Sequence, residues 1–398
     1  MTLDGEAEQV RQLTRQVLAD HAGSDEQAFL AALFDAGLAW VAHAPGDGGL
    51  GLRPKLQEVI DAELDTAGRR PDWLRNPIGI GMCAPVIATF GRPDQRRHLR
   101  PIWTAQEIWC QLFSEPGAGS DVAALATRAE PDGEHWIVNG QKVWTSLAHR
   151  ARHGLLLART DPDVPKHAGI TAFLLDLASP GVEVRPLRQM DGNAHFNEVY
   201  LTDVRVPDAN RLGEVGAGWK VAVATLLNER VSIGGVVPPR GSGPLAYAMA
   251  AWERASATEA GANAHTTIGA VRRDRLTRLW VEAEVLRLGN LRAQYLRERG
   301  TPGPQGSVLK LGSALFSQRV SDFAVELLGP EGMLYPGYED PAETSNREDP
   351  RVRFLGYQSA TIAGGTSEIM RNILAERVLG LPAEPRADRD VAWSSLPR

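Results

Sequence analysis

The sequence predicts an α+β protein in which two helical lobes flank, in chain order, a middle β region. Apolar residues recur every three or four positions near the start, alternate with a period of two in the middle third, and return to helical spacing after Gly216-Ala217-Gly218. An α, then β, then α order is expected to give a β-barrel or sandwich set between helical lobes. We predict an N-terminal helical domain over 1–108, a middle β domain over 109–216, a C-terminal helical domain over 217–381 and a flexible tail over 382–398.

The N-terminal lobe is predicted from two helical patterns. The first is formed by Val10, Leu13 and Val17, and the second runs through Phe29, Leu30, Leu33 and Phe34. Turn-rich strings at 46–49 and 91–93 separate the lobe into several short helices.

The middle region is predicted to contain strands joined by Pro-, Gly- and Asp-rich connections. A hairpin is expected where Trp136 and Val138 precede Asn139-Gly140, since Asn-Gly favours a tight primed-type turn. Further strands are expected near 155–157, 171–175, 182–184 and 199–206.

The C-terminal lobe is predicted from long stretches of helical spacing over 271–299, 306–328 and 365–378. The segment after Leu381 carries three prolines and mixed charge, which favours a loose tail.

Composition excludes several function classes. The formal net charge of -6 provides no basic surface for a nucleic-acid backbone. Cys83 and Cys110 are the only two cysteines, too few for a disulfide framework or a structural metal cluster, so no metal site is predicted and both thiols are expected to be buried. The N-terminus has no apolar signal segment, and the apolar stretch 221–237 is interrupted by Asn228-Glu229-Arg230. We therefore expect a cytoplasmic protein without a membrane-spanning segment.

The most distinctive string is the loop 113–121, which reads Phe-Ser-Glu-Pro-Gly-Ala-Gly-Ser-Asp. Its glycines allow backbone N–H groups to approach a ligand closely. Trp144-Thr145-Ser146 follows one predicted hairpin later, on a strand that could run beside this loop. An indole there can cover a flat aromatic ligand, and a hydroxyl can bond its heteroatoms.

These strings resemble the acyl-CoA dehydrogenase family over about residues 30–381. The resemblance is carried by Ser114 to Asp121, by Asn139 to Trp144, and by Gly364-Gly365-Thr366-Ser367-Glu368-Ile369. It implies that family's fold, with a C-terminal four-helix-bundle lobe, and FAD as cofactor. It also implies desaturation of an acyl-CoA thioester between its α and β carbons.

The resemblance assigns cofactor contacts by position. Gln111, Phe113, Ser114 and Gly119 are expected to lie at the flavin, with Ser120 between flavin and acyl-CoA. Trp144 is expected to cover one flavin face and Ser146 to bond near N5. Thr366 and Glu368, at the start of the last helix, match positions that approach the cofactor from a helix N-terminus.

The catalytic base is expected on an earlier helix. Removing the α proton requires a carboxylate that is partly desolvated. Many family members place a Glu directly before the terminal Gly-Thr, where this sequence has Gly364. The string ending in Glu229-Arg230 instead resembles the isovaleryl-CoA and long-chain dehydrogenases, which implies Glu229 as base and Arg230 as an orienting, substrate-side residue.

The helical offsets of Glu229 support this assignment, since they place it among apolar residues such as Ala222, Leu226 and Ile233. A charged side chain on an apolar face costs free energy unless it is paired or functional. Gly364 keeps a backbone N–H, which is expected to bind the thioester oxygen together with a ribityl hydroxyl of FAD. Glu368 and Glu376 match no known base position.

Two departures from the family pattern affect the half of the site that grips the FAD pyrophosphate. The region 255–271 lacks the family's Arg-x-x-Phe-Gly string, and the later Gln-x-x-Gly-Gly reads Glu326-Leu327-Leu328-Gly329-Pro330. Either Arg272 or Arg273 substitutes within a homodimer or homotetramer, or a related subunit of a heterotetramer supplies the contact.

Three functions remain open from the sequence. The first is a competent dehydrogenase reoxidised by electron-transferring flavoprotein, the second a non-catalytic or half-site subunit of a heteromeric dehydrogenase, and the third a related flavin oxidase or monooxygenase. Gly364 motivates the second function, and Glu229 argues against it. The identity of the acyl chain is left open.

Overall fold

A computed structural model describes residues 3–234, 237–258, 267–299, 303, 305–334, 349–385 and 388–396. The chain divides into two compact units. The first unit comprises Met1–Pro186, His195–Asn228 and Arg386–Arg398, and the second comprises Leu187–Ala194 and Glu229–Pro385.

The first unit begins with five α-helices. They are α1 (Leu3–Asp20), α2 (Glu26–Asp35), α3 (Gln57–Thr66), α4 (Ala84–Phe90) and α5 (Leu99–Trp103). Asp25 caps α2 by accepting a hydrogen bond from the Ala28 amide at 2.7 Å, which satisfies a donor that the first turn leaves free. The buried faces of these helices contribute to one apolar core.

Eight strands follow the helices and form a single sheet. They are β1 (Trp109–Leu112), β2 (Arg128–Asp132), β3 (His135–Lys142), β4 (His153–Arg159), β5 (Ile170–Asp176), β6 (Val182–Leu187), β7 (Phe196–Pro207) and β8 (Arg211–Leu212). The strand order is β6-β7-β3-β2-β4-β5-β8, and β1 pairs in parallel with β4.

Two apolar cores cover the two faces of β1 and β4. Trp109 and Leu155 join the core that contains the N-terminal helices. Cys110 and Leu156, one position along, join a second core with Phe173 and other residues from β2, β3 and β7. This alternation follows from the period of two along a strand, so each face of the sheet is buried against a different layer.

The second unit is helical. Helix α6 (Gly218–Gly234) crosses the boundary between the units, and α7 (Pro244–Thr258), α8 (Thr267–Glu298), α9 (Gln305–Glu326), α10 (Pro350–Gly356) and α11 (Ser367–Arg377) follow. Its core joins α7, α8 and α9 through residues such as Leu245, Leu279, Phe316 and Phe323.

The predicted α, β, α order is confirmed, as are strands near 155–157, 171–175, 182–184 and 199–206. Cys83 and Cys110 are both fully buried, as predicted, and burial raises the pKa of each thiol. Among the described residues, no helix is long and apolar enough to cross a membrane.

The predicted hairpin turn at Asn139-Gly140 is wrong. Both residues lie inside β3, where the pairing with β7 shifts register between Val138 and Gly140. The turn between β2 and β3 is instead at Gly133-Glu134. Gly140 is required for another reason, because a Cβ there would lie 2.4 Å from Thr127 Oγ1.

The prediction of a flexible tail over 382–398 is wrong for residues 388–396. Trp393 donates its backbone N–H to Val164 O at 2.9 Å, and Ser394 donates its own to Pro162 O at 2.8 Å. The segment is thus hydrogen-bonded to the connection between β4 and β5 in the first unit. Its polar composition suggested a loose tail because the partners of these groups are remote in sequence.

Candidate functional site

Strand β1 brings Gln111, Phe113 and Ser114 to one end of the sheet. Alternation puts Gln111 on the same face as Trp109 and Phe113, which are both buried in the core shared with the N-terminal helices. Gln111 itself is only partly buried. The Gln111 side chain is therefore a polar group between two buried aromatic residues, and it is accessible to a ligand at the end of the strand.

A backbone hydrogen bond joins the glycine-rich loop 113–121 to the residues that follow β3. Ser114 O accepts from the Val143 N–H at 2.9 Å. The bond brings Ser114 beside the segment 143–146, which contains Trp144 and Ser146. Two strings that are remote in sequence therefore meet in the first unit, as the sequence suggested.

A buried ion pair fixes the same junction from inside. Lys142 is fully buried, and its Nζ donates to Glu115 Oε1 at 2.7 Å and to Phe113 O at 3.2 Å. Glu115 also accepts from the backbone amides of Ala126 at 2.7 Å and Thr127 at 2.9 Å. Glu115 thus connects the loop, the end of β3 and the residues that lead into β2.

The electrostatics of the pair keep Glu115 ionised. Burial alone would raise the pKa of Glu115, but the Lys142 ammonium and the amide donors outweigh it and lower that pKa. Isolated buried charges are strongly unfavourable, whereas a fully hydrogen-bonded pair specifies one local conformation. This ion pair was not predicted from the sequence. The sequence does contain a pattern that could have predicted it. Lys142 lies an even number of residues after Trp136 and Val138, so it points to the same buried face of β3.

Trp144 lies outside the strand, which corrects the prediction that placed it on one. Strand β3 ends at Lys142, and Trp144 has a left-handed backbone with φ of 58°. This conformation is uncommon for a bulky residue and is often found at functional sites. The indole is 60% exposed and meets Phe196 edge-on at 6.1 Å between centroids. A large aromatic face is therefore presented outwards at the junction.

The segment after Trp144 is held by β7. Thr145 donates its N–H to Asn197 O at 3.0 Å, and the buried Asn197 amide donates back to Thr145 O at 2.8 Å. Ser146, the predicted N5 partner, is partly buried. Thr145 Oγ1 is buried and has no hydrogen-bond partner within the part of the chain that the structure describes. The backbone of this segment is thus fixed by β7.

The loop itself leaves space at its exposed side. Glu115 and Ala118 exchange backbone hydrogen bonds at 3.0 Å, which closes a tight turn. A Cβ added at Gly117 or Gly119 would meet nothing within 4 Å. Gly119 and Ser120 are exposed. These glycines are therefore not demanded by packing of the described residues, and their backbone is open to a ligand.

The group of residues in the first unit fits a flat heteroaromatic ring such as the isoalloxazine of FAD. The exposed Trp144 indole provides a stacking surface, and open loop backbone, Gln111 and the hydroxyls of Thr145 and Ser146 provide polar partners. Apolar walls with a few convergent polar groups are typical of cofactor sites.

The terminal motif lies in the second unit, at the start of α11. Gly364 and Gly365 both have left-handed backbones, with φ of 65° and 96°. Thr366 caps α11 by accepting from the Ile369 N–H at 3.2 Å. Lys310 of α9 donates to Gly365 O and to Ala360 O, which fixes the turn. Glycine is the residue that most readily adopts a left-handed backbone, so the turn geometry alone accounts for the two glycines, and no ligand is needed to explain them.

Glu368 follows on the first turn of α11. Its side chain is largely exposed and pairs with Arg371 at 3.3 Å. The predicted contact of Thr366 and Glu368 with a cofactor therefore stays a prediction. Ser367 Oγ is buried and has no partner among the residues that the structure describes.

The predicted base, Glu229, and its neighbour Arg230 have helical backbones in α6, and their side chains lie outside the described residues. The preceding turns of α6 bury Val221, Ala222 and Thr225, and Thr225 Oγ1 donates to Val221 O at 2.8 Å. The apolar character predicted for this side of the helix is thus present up to Thr225.

The residues that depart from the family's pyrophosphate pattern have structural partners. Glu326 of α9 is paired with Arg275 of α8, which also pairs with Asp322. Pro330 lies in a short 3₁₀ turn after α9. Arg272 and Arg273, the predicted substitutes, lie near the start of α8, where Arg273 is exposed.

Comparison with known proteins identifies the family to which the chain belongs. The acyl-CoA dehydrogenase middle domain matches residues 110–204, and the acyl-CoA dehydrogenase C-terminal domain matches residues 216–379. The chain belongs to the acyl-CoA dehydrogenase family. Members of this family are flavoprotein oxidoreductases, and the match covers both the loop with Trp144 and the terminal motif.

Individual relatives agree with this assignment. Acyl-CoA dehydrogenase FadE34 of Mycobacterium tuberculosis is 40% identical over 370 residues, which are 92% of this chain and 48% of that protein. Acyl-CoA dehydrogenase IpdE1 of the same organism is 38% identical over 353 residues, 88% of this chain and 86% of that protein. This chain thus spans about half the length of FadE34 and most of IpdE1.

The fold is shared with solved structures. A chain of the ChsE4-ChsE5 complex from Mycobacterium tuberculosis superimposes with a TM-score of 0.70 at 29% identity, covering 96% of this chain and 98% of that one.

Proposed function

We propose that this acyl-CoA dehydrogenase family member binds FAD and desaturates an acyl-CoA thioester between its α and β carbons. The observation that carries the proposal is the Ser114–Val143 backbone bond, which sets the open glycine-rich loop beside the exposed, left-handed Trp144. A rigid, ligand-accessible aromatic face beside free loop backbone is suited to a flavin ring.

The residues of the first unit would bind and orient the cofactor. Trp144 would cover one face of the ring, Ser146 would donate near N5, and Ser114 with Gly119 would offer backbone groups. Gln111 and Phe113 would contact the ring from β1, and Ser120 would separate it from the acyl chain. When bound, FAD supplies the two-electron acceptor for the hydride that leaves the β carbon.

Two further groups would act on the thioester. Glu229 would accept the α proton at its carboxylate, because loss of that proton must accompany loss of the β hydride. The Gly364 N–H would donate to the thioester oxygen, which acidifies the α proton by stabilising enolate character. Thr366 and Glu368 would approach the cofactor from the start of α11, and Arg230 would orient the base.

The direct test is spectroscopic. The purified full chain is expected to show flavin absorbance and to bleach anaerobically with a suitable acyl-CoA from a panel of straight, branched and steroid-like chains. Glu229→Gln should retain the flavin and lose turnover by about 10²–10⁴-fold, the range for removal of a general base. The matched variant Glu376→Gln, at a partly buried position of α11, should keep its activity. A colourless wild type, or an active Glu229→Gln, would sink the proposal.

Trp144→Ala tests the flavin surface separately from catalysis. Because the indole is largely exposed, we expect a small change in unfolding free energy and about a tenfold rise in the Kd for FAD. Trp73→Ala removes another exposed indole of the first unit, 47% accessible, and should leave FAD affinity unchanged. Equal effects of the two substitutions would remove Trp144 from the site.

A second candidate is a subunit of a heteromeric dehydrogenase, and two observations favour it. The similar ChsE4-ChsE5 structure is a complex of two named chains, and the pyrophosphate pattern of this chain departs from the family. In this proposal a related subunit completes the FAD site. Co-expression with such a subunit should then be needed for stoichiometric flavin, whereas a homo-oligomer would hold flavin by itself.

The electron acceptor is proposed to be electron-transferring flavoprotein. Reduced enzyme should reoxidise slowly in oxygen and rapidly with that protein. Fast reoxidation by oxygen alone would favour a flavin oxidase or monooxygenase instead.

A further inference from the structure

Residues 388–396, named here the strap, form an ordered segment of the first unit. Backbone hydrogen bonds tie Trp393 to Val164 and Ser394 to Pro162, and Ala392 bridges to Pro165. Ser394 Oγ adds a bond to Asp163 Oδ1 at 3.0 Å. The strap therefore lies along the connection between β4 and β5, and the matched C-terminal family domain ends at residue 379, before the strap begins.

The strap reaches the far end of the glycine-rich loop through one buried lysine. Lys166 is 9% exposed, and its Nζ lies 2.6 Å from Asp121 Oδ2 and 2.5 Å from Asp388 Oδ2. Asp121 is the last residue of the loop, directly after Ser120, and Asp388 is the first residue of the strap. One ammonium group thus joins the two segments.

Burial alone would lower the pKa of Lys166, but its hydrogen bonds with the two carboxylates outweigh this and raise the pKa. The ammonium therefore remains charged near neutral pH, and a charged hydrogen bond is stronger than a neutral one. Asp121 alone would suffice to pair the lysine. The second carboxylate, Asp388, connects the strap to the loop through Lys166, and we take this connection to be its role.

A second contact involves a buried arginine. Arg159, at the end of β4, donates to Ala123 O at 2.6 Å and to Leu125 O at 3.2 Å, directly after the loop. The Trp393 ring covers its guanidinium at 4.5 Å, and the indole N–H donates to Ala124 O at 3.3 Å. The strap therefore shields this cation from water and adds a donor to the same turn.

We propose that the strap is a positioning element that fixes the Asp121 end of the glycine-rich loop, and with it Ser120. The inference rests on the proposed function, in which Ser120 lies between flavin and acyl-CoA. The other end of the loop is fixed by Glu115 and Lys142. Because glycines give the intervening backbone many conformations, both ends must be held for the loop to keep one shape.

The first experiment measures loop order without using activity. The amides of Ala124 and Leu125 close hydrogen bonds to Asp121 O and Val122 O, so their hydrogen exchange reports opening of this turn. In the full chain, Asp388→Asn should speed their exchange about threefold, because Lys166 keeps Asp121. Trp393→Ala should speed it about tenfold, since it removes the cation–π contact and the indole donor.

Matched variants control for general effects. Asp390→Asn alters an exposed carboxylate of the strap and should leave the exchange unchanged. Trp393→Phe keeps an aromatic ring over Arg159 and removes the indole donor, so its effect should be intermediate. Unchanged exchange in both Asp388→Asn and Trp393→Ala would overturn the proposal.

The second experiment links the strap to the site. In the flavin-loaded enzyme, Trp393→Ala should raise KM for acyl-CoA at least threefold while changing kcat less than about twofold, because the strap orients binding groups and does not react. Faster exchange with unchanged KM and unchanged FAD affinity would refute the positioning role. A wild type that binds no FAD would refute the proposed function, and the exchange result would still decide whether the strap holds the loop.

Discussion

The two compact units differ in the charged side chains that they bury and in the apolar helix faces that they expose. The first unit buries the charged groups of Glu115, Lys142, Arg159 and Lys166. Among its described polar residues the second unit buries Asp191, Asn193 and four serines, and it exposes apolar side chains along α8. These exposed residues are Val281, Val285, Leu288, Leu291 and Tyr295, with exposures between 40% and 62%.

This difference suggests that buried ion pairs fix the loop conformation in the first unit, whereas the second unit has an apolar helix face available for contact with another chain. Buried ions are unfavourable unless fully paired, so the pairs in the first unit define one loop conformation within a single chain. The exposed residues of α8 recur at spacings of three and four, which places them on one face of the helix. An apolar stripe of this length is a candidate for the subunit contact of the oligomer considered under the proposed function.

The largest effect is expected from breaking the buried pair. Lys142→Met should lower the free energy of unfolding by about 3–5 kcal/mol, because it leaves the Glu115 carboxylate buried without its cation. Urea denaturation at neutral pH measures this loss. Lys220→Met, at an exposed position, should change stability by less than about 0.5 kcal/mol.

A double substitution separates the pair from simple packing. Glu115→Gln with Lys142→Met removes both charges, and it should recover part of the loss because no uncompensated ion remains. If the double variant were as unstable as the sum of the single ones, the pair would not be coupled. The buried pair would then not be what stabilises the loop conformation of the first unit.

The second effect tests the apolar face of α8. Leu288→Glu should cost about 2 kcal/mol for each copy buried in an interface, and it should shift the protein towards smaller species in sedimentation velocity. The helix content should remain, since Leu288 is 52% exposed within the chain. Thr277→Glu, at another exposed position of α8, is the control. An unchanged sedimentation coefficient would exclude this face as the interface.

Sequence reasoning predicted the elements well where a local period decides the structure. The strand-like run over 171–175 and the helical periodicity over 306–328 both depend only on neighbouring residues, and the structure has β5 and α9 there. The motifs of loop 113–121 and Trp144 were also found, because their residue types are unusual. Their meeting could only be suggested, since the Ser114–Val143 bond joins distant strings.

The errors have a common physical cause. Asn139-Gly140 has the chemistry of a hairpin turn, but Asn139 instead exchanges hydrogen bonds with Asp203 on β7. The strap appeared loose because Asp388 and Trp393 find partners at Lys166 and Arg159, more than two hundred residues earlier. In both cases a contact with a residue distant in sequence outweighed the local conformational propensity. A local sequence pattern does not show which distant residue will be the partner.

Glu107 lies just before β1 and is in contact with two histidines and a tryptophan. Glu107 Oε2 lies 2.9 Å from His98 Nδ1 and 3.4 Å from His153 Nδ1, and it accepts from Trp109 Nε1 at 3.3 Å. Burial alone would raise the pKa of Glu107, but its contacts with the imidazoles of His153 and His98 outweigh this and hold the pKa well below its usual range.

The smallest of the three effects follows from this depressed pKa. A carboxylate whose pKa is lower in the folded state stabilises the fold above its unfolded pKa of about 4.3, and this contribution is lost as pH falls towards the folded value. Glu107→Gln should therefore cost about 2 kcal/mol at pH 7, measured by urea unfolding, and the gap from wild type should narrow below about pH 4. Glu134→Gln, an exposed position, should follow the wild type throughout. A gap that stayed constant down to pH 3 would show that Glu107 contributes through packing and not through its charge.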